Sequence, residues 1–389
     1  MTPLTVAWIT DFPLEWLPGM PDPIPRLPKE HPATWEMVLL EELQDVRSFE
    51  IHVVVLRKHV NRSFSFRRNG VTFHVLKYFG GLRAPSLFWA DTLLVGQELR
   101  RIRPDLVHAW GNERGAGLVA SRLPWPYVVT IQGLFGWIRK VLPSLPGTRL
   151  PAFAERLSLA RARHVTTEST FAVHYLRERY RGLTVHQAEH APNPVFARVE
   201  RLTKRTRVRF VTNGTIGFLK GTDLFLKALA ALDLIEFEAV VIGAPNASFL
   251  QPLRNSLPRK LWQRVTFKSG LTPGDVADEL AQATMFVLPT RVDTSPNAVK
   301  EAVVAGVPVI ASNVGGIPDY VVPGGNGFLH APGDLGELVT ALRQALAHPL
   351  FSEGAVDKTI WLDKRAYLSP RRMAENFTTC YKAIARQAR

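Results

Sequence analysis

Residues 285–329 read MFVLPTRVDTSPNAVKEAVVAGVPVIASNVGGIPDYVVPGGNGFL, and their order decides the fold. The apolar run Met285-Phe286-Val287-Leu288 reads as a buried strand that stops at Pro289-Thr290, and 307–311 reads as the next strand. Between them the spacing predicts a helix over 295–305. Ser295 suits its N-cap and Pro296 its first helical position, where the N–H that proline lacks would be unbonded anyway. The start of such a helix offers unpaired N–H groups, here at Asn297, Ala298 and Val299, and the positive end of a dipole. Together these make a site for an anion such as a diphosphate. Asp293 lies on the loop before the helix, and Glu301 falls eight residues later within its first turns. Placed there, Glu301 can accept two hydroxyls of a ribose, while Asp293 faces another part of the same ligand.

Outward from this stretch the alternation continues. Further strand candidates are 5–10, 51–56, 106–109, 127–131, 164–167, 208–212 and 239–242, and helical patterns occupy 35–43, 93–102, 222–232 and 335–347. Continuous apolar strands alternating with helices predict an α/β fold of parallel sheets covered on both faces. The series restarts near Val208, after Pro192-Asn193-Pro194 and a basic stretch over 198–209 that reads as a linker. The expected organisation is two doubly wound, Rossmann-like domains, 1–200 and 201–368, with ligands beyond the carboxyl ends of the strands in a cleft between them. A helix over 369–389 follows, starting at Ser369-Pro370 and carrying Met373, Phe377, Tyr381 and Ile384 at helical spacing.

The restart brings a second anion signal. After the strand 208–212 comes Asn213-Gly214-Thr215-Ile216-Gly217-Phe218-Leu219-Lys220-Gly221. Gly214 and Gly217 let the backbone approach a diphosphate, and Lys220 supplies a point charge to neutralise it. A surface lysine near a helix start is the plainer alternative. No His, Asp or Glu cluster has metal-ligand spacing and no Asp-x-Asp occurs, so the expectation is a reaction without a metal or other cofactor.

Composition sets limits on the partners. The 389 residues carry 48 Lys and Arg against 34 Asp and Glu, a net charge of +14. The excess is uneven, −6 over 1–50 and +13 over 51–200. Such a surface attracts polyanions, and the expected one is an anionic membrane surface or a phosphorylated or lipid-linked acceptor. Nucleic acid is not expected, because zinc spacing, a recognition helix and a stacking-aromatic sheet motif are all lacking. The lone Cys380 rules out a disulfide scaffold. No run of eighteen apolar residues exists, and the opening residues lack the basic flank of a signal peptide. A cytoplasmic location, peripheral on the inner face of the membrane, is therefore expected.

Asp293-x7-Glu301, followed by Gly306-Val307-Pro308-Val309-Ile310-Ala311-Ser312 and Gly315-Gly316-Ile317-Pro318-Asp319, closely resembles the signature of the retaining family 4 glycosyltransferases, which have the two-domain GT-B fold. The resemblance implies sugar transfer from a nucleoside-diphosphate donor, UDP- or GDP-linked, to an acceptor hydroxyl in polysaccharide or glycolipid synthesis. It implies that Glu301 holds the ribose, that Asp293 contacts the donor sugar in place of the family's glutamate, and that Lys220 binds the diphosphate. Gly243 and the residues Ser295 and Pro296 would line the nucleotide site. Thr215 stands where many relatives have arginine, so Arg291 or a neighbouring basic group is the expected second cation. In GT-B relatives the terminal helix crosses back to brace the first domain.

The first half matches more loosely. Pro104-Asp105-Leu106-Val107-His108 resembles a family strand, and 127–133 resembles the strand ending in Thr-x-His-Gly, with Gln132 in place of the histidine. Gln132 can position a sugar but cannot exchange a proton near neutrality. His108, Trp110, Glu113 and Trp137 are the acceptor-side candidates, although a histidine closing a buried strand is also a common core residue. Glu168 sits on a loop that resembles one near the ligand, and the first loop reads His31-Pro32-Ala33-Thr34-Trp35-Glu36 without the family's paired glycines. A GT-B epimerase or phosphorylase, and a degenerate GT-B scaffold protein, are the competing readings.

Overall fold

Two parallel sheets organise the computed structural model, which describes residues 3–28, 33–44, 48–81, 83–202, 207–232 and 236–387. The chain divides into one unit of Met1–His190 with Pro370–Arg389 and a second of Ala191–Ser369.

The first unit holds β1 (Leu4–Thr10), β2 (Phe49–Arg57), β3 (Phe64–Arg68), β4 (Val71–Lys77), β5 (Leu106–Trp110), β6 (Tyr127–Ile131), β7 (His164–Thr167) and β8 (Thr184–Gln187). Their order is β3-β4-β2-β1-β5-β6-β7-β8, parallel except for β3 against β4. The second unit holds β9 (Val208–Asn213), β10 (Phe237–Ile242), β11 (Val265–Lys268), β12 (Met285–Leu288), β13 (Val309–Ser312) and β14 (Gly327–His330), in the all-parallel order β11-β10-β9-β12-β13-β14. In both sheets the order reverses beside the unit's first strand, between β1 and β5 and between β9 and β12. Open α/β sheets bind ligands at such switch points, outside the carboxyl ends of the strands.

The central strands are the ones the apolar runs announce, since β5, β7, β12 and β13 are buried at every position. Five strands escaped that reading. β8 and β11 are short edge strands, partly exposed along their length, so their apolar pattern is broken. β14 opens on Gly327, where a side chain would meet the Val309 carbonyl oxygen at 1.9 Å. β3 and β4 form a hairpin whose two-residue turn, Asn69-Gly70, has φ of 46° and 79° at its two positions. That dipeptide is the strongest short-range hairpin signal and was legible in the sequence.

Helix Pro370–Gln387 belongs to the first unit, packed on helix Thr34–Gln44 and on β5, with Met373, Phe377, Tyr381 and Ile384 all buried. The units meet in sequence after His190 and Ser369, against the boundaries expected at 200 and 368. His31 and Pro32 of the first loop, and 203–206 of the expected linker, lie outside the described residues. Among the described residues no helix is long and apolar enough to cross a membrane.

Candidate active site

At the β9/β12 switch point, the loop after β9 leads through Lys220 into helix Thr222–Ala231, and the loop after β12 leads through Asp293 into helix Asn297–Val304. The two loops are tied by backbone. The Arg291 N–H bonds the Leu219 carbonyl at 2.9 Å, and the Thr290 hydroxyl donates to the same oxygen at 3.0 Å. Gly221, at φ 71°, lies so close to the Pro289 carbonyl oxygen that a Cβ would sit 1.9 Å from it. Gly315, at φ 56°, approaches the Asp293 carbonyl oxygen to the same degree, with a Cβ distance of 1.8 Å. Only glycine allows both the left-handed backbone and the contact. Gly243, after β10, packs in the same way on the Gly214 carbonyl oxygen.

This frame brings Lys220 onto Asp293, whose Oδ2 accepts a short charged hydrogen bond from Nζ. The pair is partly buried, with side-chain exposures of 26% and 11%. Glu301 lies one turn into the helix, where the Asn213 side-chain amide donates to its Oε2 at 3.4 Å. Burial raises the Glu301 carboxyl to about 7, against the opposing pull of Lys300 and the Asn213 bond. Asn213 closes β9 directly before the glycine loop, and sequence reasoning did not assign it a role; its only signal was a polar residue ending an apolar strand.

Three local expectations are corrected. The helix begins at Asn297 with Pro296 as its cap residue, and the Ser295 hydroxyl is paired at 2.7 Å with that of Tyr320. The Val299 N–H bonds the Pro296 carbonyl at 3.1 Å, which leaves the amides of Asn297 and Ala298 as those that a helix start presents to an anion. Arg291 is not the missing cation, because Asp223 holds its guanidinium by two bonds of 2.8 Å and it stacks 3.7 Å from the Phe218 ring centre. Thr215 itself is exposed on the loop.

In the first unit the β1/β5 switch point gathers Thr10, Asp11, Glu36 and Glu113. The Thr10 hydroxyl donates a short bond to Glu36. Burial, reinforced by the charges of Asp11 and Glu113, raises Glu36 to about 8, so it is largely protonated at neutral pH. Burial raises Glu113 as well. Gln132, at the end of β6, donates from its amide nitrogen to Glu113 Oε1 at 2.9 Å and accepts from Trp35 Nε1 at 3.3 Å. Sequence reasoning singled out Gln132 and Glu113 and missed Thr10 at the end of β1, Asp11 just after it and Glu36 in helix Thr34–Gln44.

His108 is a core residue rather than an acceptor contact. It has no exposed surface, and its nitrogens are both taken, at 2.6 Å by the Tyr381 hydroxyl and at 2.6 Å by that of Thr130. Trp110 is also buried, with His108, His190 and Phe377 packed around its ring. Trp137 is half-buried against Phe171, their rings 4.6 Å apart. Glu168 is buried 3.2 Å from His190, whose ring stacks on Trp35.

Two family models match the chain, Glycosyltransferase Family 4 over residues 36–197 and Glycosyl transferases group 1 over 207–348. Among curated proteins, the sulfoquinovosyl transferase SQD2 of Arabidopsis thaliana is 26% identical over 298 residues, 69% of this chain and 56% of that protein. D-inositol 3-phosphate glycosyltransferase 1 of Catenulispora acidiphila is 28% identical over 268 residues, 61% of this chain and 63% of that protein. The match thus spans less than two thirds of either relative's length. Among solved structures, sucrose-phosphate synthase of Thermosynechococcus elongatus superposes with a TM-score of 0.81 at 16% identity, over 98% of this chain and 99% of that one. Anabaena HepE, solved with UDP-glucose, gives 0.69 at 15% identity over 98% and 100%. At such identities the likeness establishes the GT-B fold. With both halves of the chain matched by the family's models and both sheets ordered about such switch points, the protein belongs to the family 4 glycosyltransferases.

Proposed function

We propose that the protein transfers a sugar from a nucleoside-diphosphate donor to an acceptor hydroxyl, with retention at the sugar carbon. The observation that carries this reading is the pairing of Lys220 with Asp293 beside the opening of helix Asn297–Val304, at the switch point of the second sheet. Lys220 and the Asn297 and Ala298 amides, four and five residues after its partner Asp293, would hold the diphosphate in this reading, and Glu301, one turn on, the ribose. The solved complex of HepE with UDP-glucose supports a donor of this class.

Asp293 is paired with Lys220. A bound diphosphate takes the lysine over, and the released carboxylate turns to the hydroxyls of the donor sugar. The acceptor oxygen then forms the new bond to the anomeric carbon as the bond from that carbon to the phosphate oxygen breaks. The acceptor's proton goes to the departing phosphate on the same face, which preserves the configuration. Negative charge grows on the diphosphate in this step, and Lys220 with the Asn297 and Ala298 amides is preorganised to stabilise it. This division of labour asks no metal of the protein. Among the described residues no group of three or more His, Cys, Asp or Glu is placed to hold one.

The test is a panel of UDP- and GDP-sugars scored by thermal shift, then by nucleoside-diphosphate release with saccharide and lipid-linked acceptors. Lys220→Ala is expected to slow turnover by about 100-fold or more. Asp293→Asn is expected to bind nucleoside diphosphate more tightly while turning over more slowly. A product with inverted configuration, or a rate abolished by a chelator, rejects the mechanism. Donor binding without release across the whole panel favours the scaffold reading.

A further inference from the structure

At the β1/β5 switch point the groups are Asp11, Glu36, Glu113 and Gln132, with Arg114 paired to Asp11 at 3.3 Å, so most of the positive charge of residues 51–200 lies elsewhere. Part of it, Arg83, Arg139, Lys140, Arg149 and Arg156, lies on segments that leave the sheet at the same edge. β4 and β6 are parallel and both end at the carboxyl edge. The chain after β4 runs through Phe79, Leu87 and Trp89. The chain after β6 makes a helical hairpin, helices Phe135–Val141 and Arg149–Leu159, packed on each other. The Glu155 carboxylate ties their bases, accepting from the Phe135 and Gly136 N–H groups at 2.6 and 3.1 Å.

These two segments expose apolar side chains in an unusual concentration. Among the described residues eleven large apolar side chains are exposed, and seven belong to the first unit, all within 79–93 and 141–153. Phe79 is 72% exposed, Trp89 54%, Leu93 70%, Val141 43%, Leu150 41% and Phe153 39%. The four in the second unit are scattered, and one of them, Phe218, lies under Arg291. In the first unit cations accompany the apolar groups. Lys77 lies 5.6 Å from the Phe79 ring centre, Arg122 4.4 Å from Trp89 and Arg156 5.6 Å from Phe153. Arg139, Lys140 and Arg149 flank Val141 and Leu150 in sequence, and no Asp or Glu occurs between Glu113 and Glu155.

We propose that this rim of the first unit, the hairpin 135–159 with the segments 79–81 and 83–93, docks on an anionic lipid surface. Charge complementarity selects that occupant. A protein partner of matching apolar shape would not require acid-free basic flanks, whereas long cationic chains can reach phosphate headgroups while their stems and the neighbouring Val, Leu, Phe and Trp enter the interface. The rim borders the edge that carries Gln132 and Glu113, so a lipid-linked acceptor would present its headgroup there. The docking itself does not depend on the donor chemistry proposed above.

Flotation of the full-length protein with phosphatidylcholine vesicles, with and without one-third phosphatidylglycerol, tests the proposal. Binding is expected only with the anionic lipid and is expected to weaken as salt is raised. Leu150→Glu with Phe153→Glu, and separately Arg139→Gln with Lys140→Gln, are each expected to reduce partitioning by about tenfold or more. Melting temperature and the nucleotide-induced thermal shift should stay at wild-type values, which separates lost docking from lost folding or a lost donor site. Brominated phosphatidylglycerol should quench fluorescence in wild type more than in Trp89→Phe. Equal partitioning of the wild type and both variants, binding indifferent to lipid charge, or no binding to anionic vesicles overturns the proposal. So does a dimer in sedimentation velocity that the Leu150/Phe153 variant dissociates, since the rim would then be covered by a second copy of the chain.

Discussion

At the β9/β12 switch point the gathered groups are a lysine, the amides of a helix start and a carboxyl drawn up to about 7. At the β1/β5 switch point they are a threonine, a glutamine amide and three acids, one of them drawn up to about 8 and another, Asp11, paired with Arg114. The strand order is the same in kind, yet the first arrangement suits an anion and the second suits hydroxyls, which both donate and accept. The contrast also corrects an inference from charge alone. Residues 51–200 carry +13, but at that switch point the cation Arg114 is paired with Asp11 among acids, and the cations named for the docking surface lie on the rim. Net charge describes a surface, and a site has to be read from the groups that face it.

The sharpest way to break the comparison is Glu301→Ala. If this carboxylate holds a ribose by two charged hydrogen bonds, calorimetry should show nucleotide affinity falling about 100-fold or more for every donor. Unchanged affinity would remove the nucleotide from this edge of the second unit. Next in size is a pair of glycine variants. Gly315→Ala puts a methyl group against the Asp293 carbonyl and should abolish donor-induced stabilisation, while Gly217→Ala, with open space around it, should leave the fold intact. Circular dichroism and thermal shift on both would show whether the loop contact matters.

Smaller effects come from protons. Burial raises Glu301 to about 7, and only the ionised form accepts a hydroxyl at each oxygen with the strength of a charged bond, so nucleotide affinity should rise as pH increases from 6 to 8 by about tenfold and then level off. Glu301→Gln should flatten that profile. In the first unit Glu36 keeps its proton to about 8 when folded, against an ordinary value of 4.5. The folded state therefore binds the extra proton across that window, and its stability falls as pH rises through it. Glu36→Gln, which retains a partner for Thr10, should remove this slope and raise Tm at pH 8 by several degrees. A variant that melts with the wild-type pH dependence would place the acidic pressure on another carboxylate.

The candidate site was unevenly legible. The placement of Asp293, Glu301 and Lys220 at the loops and helix start of this edge was legible, because it depends on local spacing within a few residues. The ion pair between Asp293 and Lys220 was not legible, since it spans 73 residues and exists only because β9 and β12 are neighbours. Arg291 looked available for the same reason that it is not, because Asp223 is remote in sequence and adjacent in space. His108 is the clearest case. Its partner Tyr381 lies 273 residues away on a helix that rejoins the first unit, and that bond, with the one from Thr130, turns a candidate ligand contact into core.

The amino-acid sequence alone determined the α/β alternation, the restart near Val208 and the position of the loop and helix of the candidate site, because each is written in short-range periodicity and turn chemistry. The tertiary structure decided which polar groups remain available to a ligand. Availability is settled by burial and by partners brought from distant strands, and neither has a local signature in the chain.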